Sequence, residues 1–424
     1  MSAADLPKDW SRRRLRFDAR LNPIKSELTL ADDAEVSFVP MDAVGELGGL
    51  RLDEQRVVDD VYTGYTYFRD DDVLIAKITP CFENGKGAIA AGLTNGVGFG
   101  TTELHVVRPN DRLDRRFFFY ATIAHDFRSF GESEMLGAGG QKRVPERFLK
   151  DWQLSLPPLE TQKRIATFLD EKTAQIDALI EKKRALLERL TEKRQAVITQ
   201  AVTKGLNPAA PMKDSGIDWL GEIPAHWEVK RLKFLGRTRY GLGEPPERDD
   251  EGVPFIRATD IYRGKVDMSA VQRVAKDAVP WQRRPQLEVG EVLVVRSGAY
   301  TGDSAIVTKG LAGFIAGYDM VYTPEKISSQ FIAFTLLSKF MVEGQILIAK
   351  QRAAQPHLNA EELGGFVCAL PPSNEQDEIV EYLATQQEKL ERVEKLVSLS
   401  TDRLTEYRSA LITAAVTGQI EGLR

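Results

Sequence analysis

The sequence predicts an α+β protein with an internal repeat: two globular domains of twisted or barrel-like sheet with helices, and two long helices forming a coiled coil. The segment 190–203 (LTEKRQAVITQAVT) recurs as 404–417 (LTEYRSALITAAVT), with ten of fourteen positions identical. Each copy opens with a proline–tryptophan element and closes in a heptad-patterned segment. In a chain of 424 residues, a repeat 214 residues long indicates one unit duplicated end to end.

The composition is that of an ordinary globular protein, with a net charge of −5. No apolar stretch approaches the roughly 18 residues of a membrane span. The first ten residues, MSAADLPKDW, contain no apolar run of a secretory signal. Cys81 and Cys368 occupy non-equivalent places in the two copies. We therefore expect a cytoplasmic protein without disulfides.

The early part of each copy predicts strands. The spacing from proline through tryptophan to an Arg-Leu-basic-Phe run agrees residue for residue between 7–17 and 224–234, and its alternation indicates a half-buried strand. The β-branched runs 72–78 and 291–296 read as buried strands, and both lead into polar turns that contain glycine.

The later part of each globular region adds further elements. The segments from Gly98 to Pro109 and from Gly313 to Pro324 match in length. Aromatic-rich segments follow, at 115–130 and 329–341, with apolar residues at helical spacing. Strands followed by helices favour an α+β domain.

Two long helices close the copies. Leu-Pro-Pro precedes each one, and the first runs from about 160 to 204, ended by Gly205. At 1.5 Å per residue, 45 residues span ~67 Å, which indicates a spacer. The predicted seam residues are Ile165, Leu169, Ile176, Leu179, Leu186, Leu190 and Val197, and then Ile379, Leu383, Leu390, Val393, Val397, Leu404 and Leu411.

The two helices differ in charge. Residues 160–204 carry a net +3 and residues 374–418 a net −4. Opposite charge suits helices that face each other, and separately solvated helices are the alternative. The predicted boundaries are a first globular domain 1–155, a first helix 156–206, a linker 207–222, a second globular domain 223–369 and a second helix 370–424.

Two stretches resemble a known family. PPLETQKRIATFLD (157–170) and DSGIDWLGEIPAHWEVKRLKF (214–234) resemble the specificity subunit of type I restriction–modification systems, and the likeness covers essentially the whole chain. It implies two target recognition domains, each binding half of a split site in double-stranded DNA, held apart by antiparallel helices. It also implies two methyltransferase subunits and restriction/translocase subunits as partners. They would use S-adenosylmethionine and ATP, while this chain has no cofactor and no catalysis.

The motifs agree with a non-catalytic chain. Asn84-Gly85-Lys86-Gly87 lacks the upstream glycine and the following hydroxyl of a phosphate-binding loop. No Asn-Pro-Pro-aromatic motif for a flipped base occurs, and the four histidines and two cysteines show no metal-ligand spacing. A nuclease or modification enzyme with a coiled-coil arm is therefore disfavoured. A coiled-coil adaptor that binds only protein remains an alternative.

Three places carry candidate DNA contacts. In the first, 139–143 aligns with 354–357, and Gln141 coincides with Gln355. Glutamine suits adenine and Arg143 suits guanine, with a solvated loop as the alternative. The candidates here are Gln141, Lys142, Arg143, Gln355 and His357.

The second place is the turn after each buried strand, where we expect phosphate contacts, with structural ion pairs as the alternative. Its candidates are Lys77, Thr79, Asn84 and Lys86, and opposite them Arg296, Ser297, Tyr300 and Thr301. The third place has a counterpart in the first copy only by position, around 62–69. Its candidates are Arg257, Thr259, Tyr262 and Arg263.

The globular regions have diverged far more than the helices. Because the two globular regions differ in sequence, we expect them to recognise different half-sites. The DNA target should therefore be asymmetric and bipartite. Readers on one side of the duplex need half-sites about one helical turn apart, ~34 Å.

Overall fold

The structure is a computed structural model that describes residues 6–138, 140–351 and 356–423. It divides into two compact units, Met1–Lys183 with Ser398–Arg424, and Arg184–Val397. Each unit contains one globular domain and a part of each long helix. The α+β class predicted from the sequence is confirmed.

Two four-stranded sheets form the first globular domain. The first sheet has the antiparallel order Ala19–Leu21, Leu104–Pro109, Val73–Ala76, Gly87–Ile89. The second has the order Glu54–Val57, Glu35–Val39, Val97–Gly100, Thr66–Arg69, with its central pair parallel. Two pairs complete the strands: Ser11–Arg14 with Gln153–Leu156, and Leu136–Ala138 with Gln141–Arg143. The helices are Val58–Tyr62, Arg115–Ile123, His125–Ser133 and Glu146–Asp151.

The second globular domain repeats this plan. Its four-stranded sheet has the equivalent order Gly236–Tyr240, Met320–Pro324, Val292–Val294, Ser304–Ile306. Its other sheet has the order Gln272–Val274, Arg248–Ile256, Ile315–Ala316, with one antiparallel pairing and, as in the first domain, one parallel pairing. The pairs are Glu228–Arg231 with Val367–Leu370, Ile261–Tyr262 with Lys265–Val266, and Met212–Asp214 with Glu222–Pro224. The α-helices are Ser329–Leu336, Lys339–Met341, Leu347–Lys350 and Ala360–Gly365, and a π-helical turn spans Val342–Ile346.

The barrel-like expectation is wrong. Within the described ranges, each sheet is an open ribbon of at most four strands with two edges. Closing a sheet around a packed interior takes about eight strands, so these short sheets instead bury their faces against helices and each other.

Each long helix is anchored to its domain by a glutamine. The helices span Leu159–Lys204 and Ser373–Val416. The Gln162 side chain accepts from the Asp114 backbone N–H at 2.8 Å and donates to the Pro157 carbonyl at 2.9 Å. Gln376 makes the equivalent bonds, with Ser328 at 2.8 Å and Pro371 at 2.9 Å. The PPxxxQ pattern is thus a joint between sheet and helix.

The helices pack antiparallel within each unit. In the first unit, Arg408 donates to Asp177 at 2.8 and 3.2 Å. In the second, Arg194 donates to Glu394 at 2.6 Å, while Ile198 lies in one core cluster with Ile379. Of the predicted seam residues, the buried ones are Ile165, Leu169, Ile176, Leu190, Ile379, Leu383, Leu390 and Val397.

The middle of the predicted seam needs correction. Leu179, Leu186 and Val393 are exposed, whereas Ile180 is buried. An α-helix with 3.6 residues per turn drifts by about 20° per heptad from a strict seven-residue pattern, so the buried stripe moves to a neighbouring residue.

Both long helices are followed by a glycine packed on a tryptophan. Gly205 has φ +74°, and a Cβ there would lie 3.2 Å from Cζ2 of Trp227. Gly418 has φ +75°, and its Cβ would lie 2.8 Å from Cγ of Pro7 and 3.4 Å from Cζ2 of Trp10. The proline–tryptophan element is therefore a socket for a helix end.

No single helix in the described ranges has the length and apolar content to cross a membrane. The two helical segments Ser329–Leu336 and Lys339–Lys350, bent by 58°, meet that criterion only as a pair.

Candidate nucleic-acid interface

In the first domain, the fold brings together the first two predicted places. The turn that follows strand Val73–Ala76 lies against the hairpin Leu136–Arg143. The Val144 N–H donates to the Lys77 carbonyl at 2.8 Å, and the Thr79 N–H donates to the Lys142 carbonyl at 3.0 Å. Turn and hairpin therefore form one surface.

Several candidates on this surface hold it together. The Thr79 hydroxyl donates to the Gly140 carbonyl at 2.6 Å and accepts from the Lys142 N–H at 3.1 Å. Arg143 donates to both carboxylate oxygens of Glu103, at 2.8 to 3.1 Å. These bonds hold the pKa of Glu103 below its usual range. Thr79 and Arg143 thus have strong partners inside the protein.

Two further candidates anchor a neighbouring loop. Asn84 donates to Oε1 of Glu46 at 3.1 Å, and Nζ of Lys86 donates to the Met41 carbonyl at 3.1 Å. Both contacts join the turn to the loop after strand Glu35–Val39. They favour a structural role, which was the alternative for this place.

The remaining candidates of the first domain are available to a ligand. Gln141 and Lys142 are exposed and Lys77 is half-buried. Within the described ranges, none of the three makes a side-chain hydrogen bond or ion pair. Every described residue of the hairpin Leu136–Arg143 is exposed, and Leu136 is 59% exposed. A two-stranded ribbon fits the width of the major groove.

The second domain builds the same joint. The Leu358 N–H donates to the Arg296 carbonyl at 2.8 Å, the counterpart of the Val144–Lys77 bond. Ser297 pairs with His357 in an antiparallel bridge. The Thr301 hydroxyl is buried and donates to the Gly298 carbonyl at 2.7 Å, so Thr301 is structural, while Tyr300 is 44% exposed. Gln355 lies outside the described residues.

The third place is divided between structural and exposed groups. Arg257 donates to buried Asp260 at 2.7 Å and to the Ala270 carbonyl at 3.0 Å. The Thr259 hydroxyl contacts the same carboxylate at 3.2 Å. Tyr262 is 53% exposed, and Arg263 lies 5.0 Å from its ring centroid.

The positional counterpart of this third place, around 62–69, is wrong. The 3-10 helix Ala258–Asp260 follows the strand Arg248–Ile256. In the first domain the equivalent strand, Glu35–Val39, is followed by the 3-10 helix Met41–Ala43. The loops of the two domains differ in length, so residues at a constant sequence offset do not occupy equivalent positions in the fold.

Sequence reasoning missed the groups that support Arg296. The Arg296 guanidinium lies between the rings of Tyr240 and Tyr318. The backbone N–H of Arg296 donates to Oδ1 of Asp319 at 3.0 Å. Burial raises the pKa of Asp319 to about 6, and the nearby Asp260 carboxylate adds to the shift. The one available signal was a tyrosine at the end of strand Gly236–Tyr240 and another just before strand Met320–Pro324.

The surface offers contacts but little chemistry. Among the described residues, no group of three or more His, Cys, Asp or Glu side chains could hold a metal ion. His105 is buried, with Nε2 2.8 Å from the Val144 carbonyl, and burial lowers its pKa. Cys81 and Cys368 are free thiols, and burial raises the pKa of Cys368 to about 12. Basic, amide and aromatic side chains on a turn suit recognition of an anionic polymer.

Comparison with known proteins identifies the fold's relatives. The family described as type I restriction modification DNA specificity domain matches residues 33–189 and 224–400. The chain belongs to this family. Its two matched segments coincide with the two copies, each extending from a globular domain into the following helix.

Individual specificity subunits show the same likeness. The chain is 43% identical over 164 residues to the EcoAI specificity subunit of Escherichia coli, covering 38% of this chain and 27% of that protein. The EcoEI specificity subunit of the same species gives 43% over 163 residues, with the same coverage. These matches thus span about a quarter of the relatives' length. The putative MjaX specificity subunit of Methanocaldococcus jannaschii is 24% identical over 422 residues, covering 93% of this chain and 92% of that protein.

Solved structures share the fold of this specificity-domain chain. One chain, from work on complex assembly and conformational transition of the type I R-M system, superposes with a TM-score of 0.76 at 18% identity, covering 98% of this chain and all of that chain. The HsdS subunit from Thermoanaerobacter tengcongensis superposes with a TM-score of 0.54 at 17% identity, covering 99% of each.

Proposed function

We propose that this chain is a non-catalytic, sequence-specific DNA-binding specificity subunit that recognises an asymmetric bipartite site. One observation carries the proposal. The same turn-and-loop joint occurs in both domains, closed by the Val144–Lys77 bond in one and the Leu358–Arg296 bond in the other. The side chains presented there differ, so the two domains read different half-sites.

The family supports the partners. We assign two adenine methyltransferase subunits to this chain as a scaffold, and restriction/translocase subunits to the larger complex, in the cytoplasm. S-adenosylmethionine and ATP then serve the partner subunits. The long helices, with exposed residues such as Leu179 and Leu396 on their outer faces, provide surface for protein partners.

Two DNA-binding domains joined by long helices should recognise a DNA target made of two separated half-sites. Half-sites about one helical turn apart, ~34 Å, place two major-groove readers on one side of the duplex. The bases between them are then unspecified. A continuous palindromic target contradicts this arrangement.

The test is methylation mapping. DNA from cells that co-express the chain with its neighbouring methyltransferase is read by long-read sequencing. The proposal expects a bipartite, adenine-methylated motif with an unspecified gap. No new methylated motif, in cells where both proteins are soluble and assembled, refutes it.

A protein-only coiled-coil adaptor is the second candidate. The net charge of −5 favours it, as do the commitments of Arg143 to Glu103 and Arg257 to Asp260. DNA affinity of the assembled complex that falls steeply with salt rules the adaptor out, because neutralising phosphates releases counterions.

A further inference from the structure

Arg296 is held between two aromatic rings in the second domain. Its guanidinium carbon lies 4.6 Å from the ring centroid of Tyr240 and 4.6 Å from that of Tyr318. Tyr240 is itself anchored, because its hydroxyl accepts from the Ala360 N–H at 2.9 Å. Contact with two rings restricts the orientation of a guanidinium without a salt bridge.

The clamped guanidinium has no acceptor within the described residues. Its Nε is buried without a hydrogen-bond partner, whereas its two terminal nitrogens are not buried. Arg143 and Arg257, by contrast, give their N–H groups to Glu103 and Asp260. The terminal N–H groups of Arg296 are therefore available to a ligand.

Asp319 supports the clamp from within the domain. Its Oδ1 accepts from the Arg296 backbone N–H, which fixes the start of the side chain. The carboxylate is 1% exposed, and its Oδ2 has no partner among the described atoms. Its charge favours the cation while leaving the outer N–H groups free.

We propose that Arg296 reads a guanine in the half-site bound by the second domain, with Tyr240 and Tyr318 as positioning residues. This inference rests on the proposed function. A guanidinium in a fixed plane matches the O6 and N7 acceptors of guanine through two parallel hydrogen bonds.

The clamp distinguishes base reading from phosphate contact. A phosphate accepts hydrogen bonds from many directions, so a mobile cation serves it well. A base edge demands one orientation, and a side chain ordered before binding loses less entropy on binding. The equivalent position in the first domain holds Lys77, whose point charge lacks the planar fork. Guanine reading of this kind belongs to the second domain alone.

The test is methylation mapping of the complex formed with its methyltransferase, for the wild type and for Arg296→Lys. The wild-type motif should contain a G·C pair at a defined position of one half-site. Arg296→Lys keeps the charge and loses the fork, so methylation of sites with another base there should rise about tenfold or more relative to the guanine site. All other positions of the motif should stay as in the wild type.

The tyrosines supply an independent readout. Tyr318→Leu removes one stacking face and should relax the same position, whereas Tyr318→Phe keeps the ring and should retain the wild-type motif. Arg237→Ala is the matched control, because this exposed arginine pairs with Glu325 at 2.5 Å outside the clamp. It should leave the motif unchanged. Melting curves of the purified complexes identify any variant that fails to fold.

The outcomes separate the two proposals. No methylated wild-type motif refutes the proposed function and this inference with it. A wild-type bipartite motif that lacks guanine in both half-sites refutes the inference alone. So does an unchanged motif in Arg296→Lys, because lysine keeps the charge and can replace an arginine that contacts only phosphate.

Discussion

The Arg408 guanidinium donates to both carboxylate oxygens of Asp177, at 2.8 and 3.2 Å, across the antiparallel helices of the first unit. The arginine side chain is 9% exposed and the aspartate 49%. Where a heptad seam ordinarily places apolar residues, this pair fixes the register of the two helices. Polar seam residues specify register in this way in other coiled coils.

Replacing this arginine should loosen the first unit. Arg408→Ala loses two charge-assisted hydrogen bonds and the packing of the alkyl chain, and Asp177 is exposed enough to regain water. We expect a loss of about 2 kcal/mol in the free energy of unfolding, measured from urea denaturation midpoints. Arg403→Ala, at an exposed position of the same helix, should change it by less than about 0.5 kcal/mol. Equal effects of the two substitutions contradict the assignment.

The glycine after the second long helix should tolerate no side chain. Gly418→Ala places a methyl in the left-handed region and against Pro7 and Trp10. Gly216→Ala is the matched control, since Gly216 has φ +72° and open space around its Cβ. Both substitutions incur roughly 1–2 kcal/mol of backbone strain. Gly418→Ala should cost roughly 1 kcal/mol more through overpacking, seen as a lower melting temperature. Identical melting temperatures for the two variants would contradict the close packing of Gly418 against Pro7 and Trp10.

Asp319 should make the stability of the second unit depend on pH. Its folded pKa of about 6 lies above the value of 3.8 for a free aspartate. The buried carboxylate therefore destabilises the fold above pH 6, by roughly 3 kcal/mol at neutral pH, and the cost disappears as pH falls from 6 towards 4. Asp319→Asn should raise the urea midpoint at pH 7.5 and raise it by much less at pH 4.5.

The control for this pH effect is Asp277→Asn, which alters an exposed carboxylate of the same domain. Its midpoint should stay close to that of the wild type at both pH values. A gain from Asp319→Asn of equal size at pH 4.5 and 7.5 means that the substitution acts through packing instead of charge.

Gln141 should read a base in the other half-site. Gln141→Ala removes an exposed amide at the hairpin, and we expect relaxed methylation at one A·T position of the first domain's half-site, by about tenfold. Asn84→Ala serves as the control, because Asn84 belongs to the adjoining turn but is bound to Glu46. It should leave the motif intact. An unaltered motif in Gln141→Ala leaves the solvated-loop interpretation in its place.

Lys142 should contact a phosphate. Lys142→Ala should weaken DNA binding by the assembled complex about equally on target and non-target duplexes. The slope of log K against log salt should fall by about one. Lys86→Ala, which alters a lysine bound to the Met41 carbonyl, should leave that slope unchanged. A change of sequence preference in Lys142→Ala, with an unchanged salt slope, identifies a base contact.

Much of the fold could be predicted because the duplication made each copy a check on the other. The Pro-Pro…Gln spacing and the proline–tryptophan element recur with the same tertiary partners, so local pattern and packing agree. The openness of the sheets could not be predicted, because strand pairing such as that of Glu35–Val39 with Val97–Gly100 joins segments about 60 residues apart. The alternation of apolar and polar residues indicates which face of a strand is buried, but not which strand it pairs with.

The location of the candidate surface could be predicted better than the role of each side chain on it. In each domain the turn after the buried strand contacts the loop of the first candidate place, and the sequence did not predict that contact. Whether a given side chain is free depends on partners distant in sequence: Glu103 engages Arg143 across 40 residues, and Tyr240 reaches Arg296 across 56. Such pairings leave no trace in a local pattern.

The bond that closes each joint, from Val144 to Lys77 and from Leu358 to Arg296, runs between backbone groups. The side chains of Lys77 and Arg296 therefore do not take part in the bond that closes the loop. Substitutions at these two positions should destabilise the fold little. The side chain that contacts a ligand can therefore change while the backbone of the loop stays the same. Because either domain can change independently of the other, a few replacements in each multiply into many distinct combinations. Under the proposed function, new pairs of half-sites then arise from a modest number of substitutions.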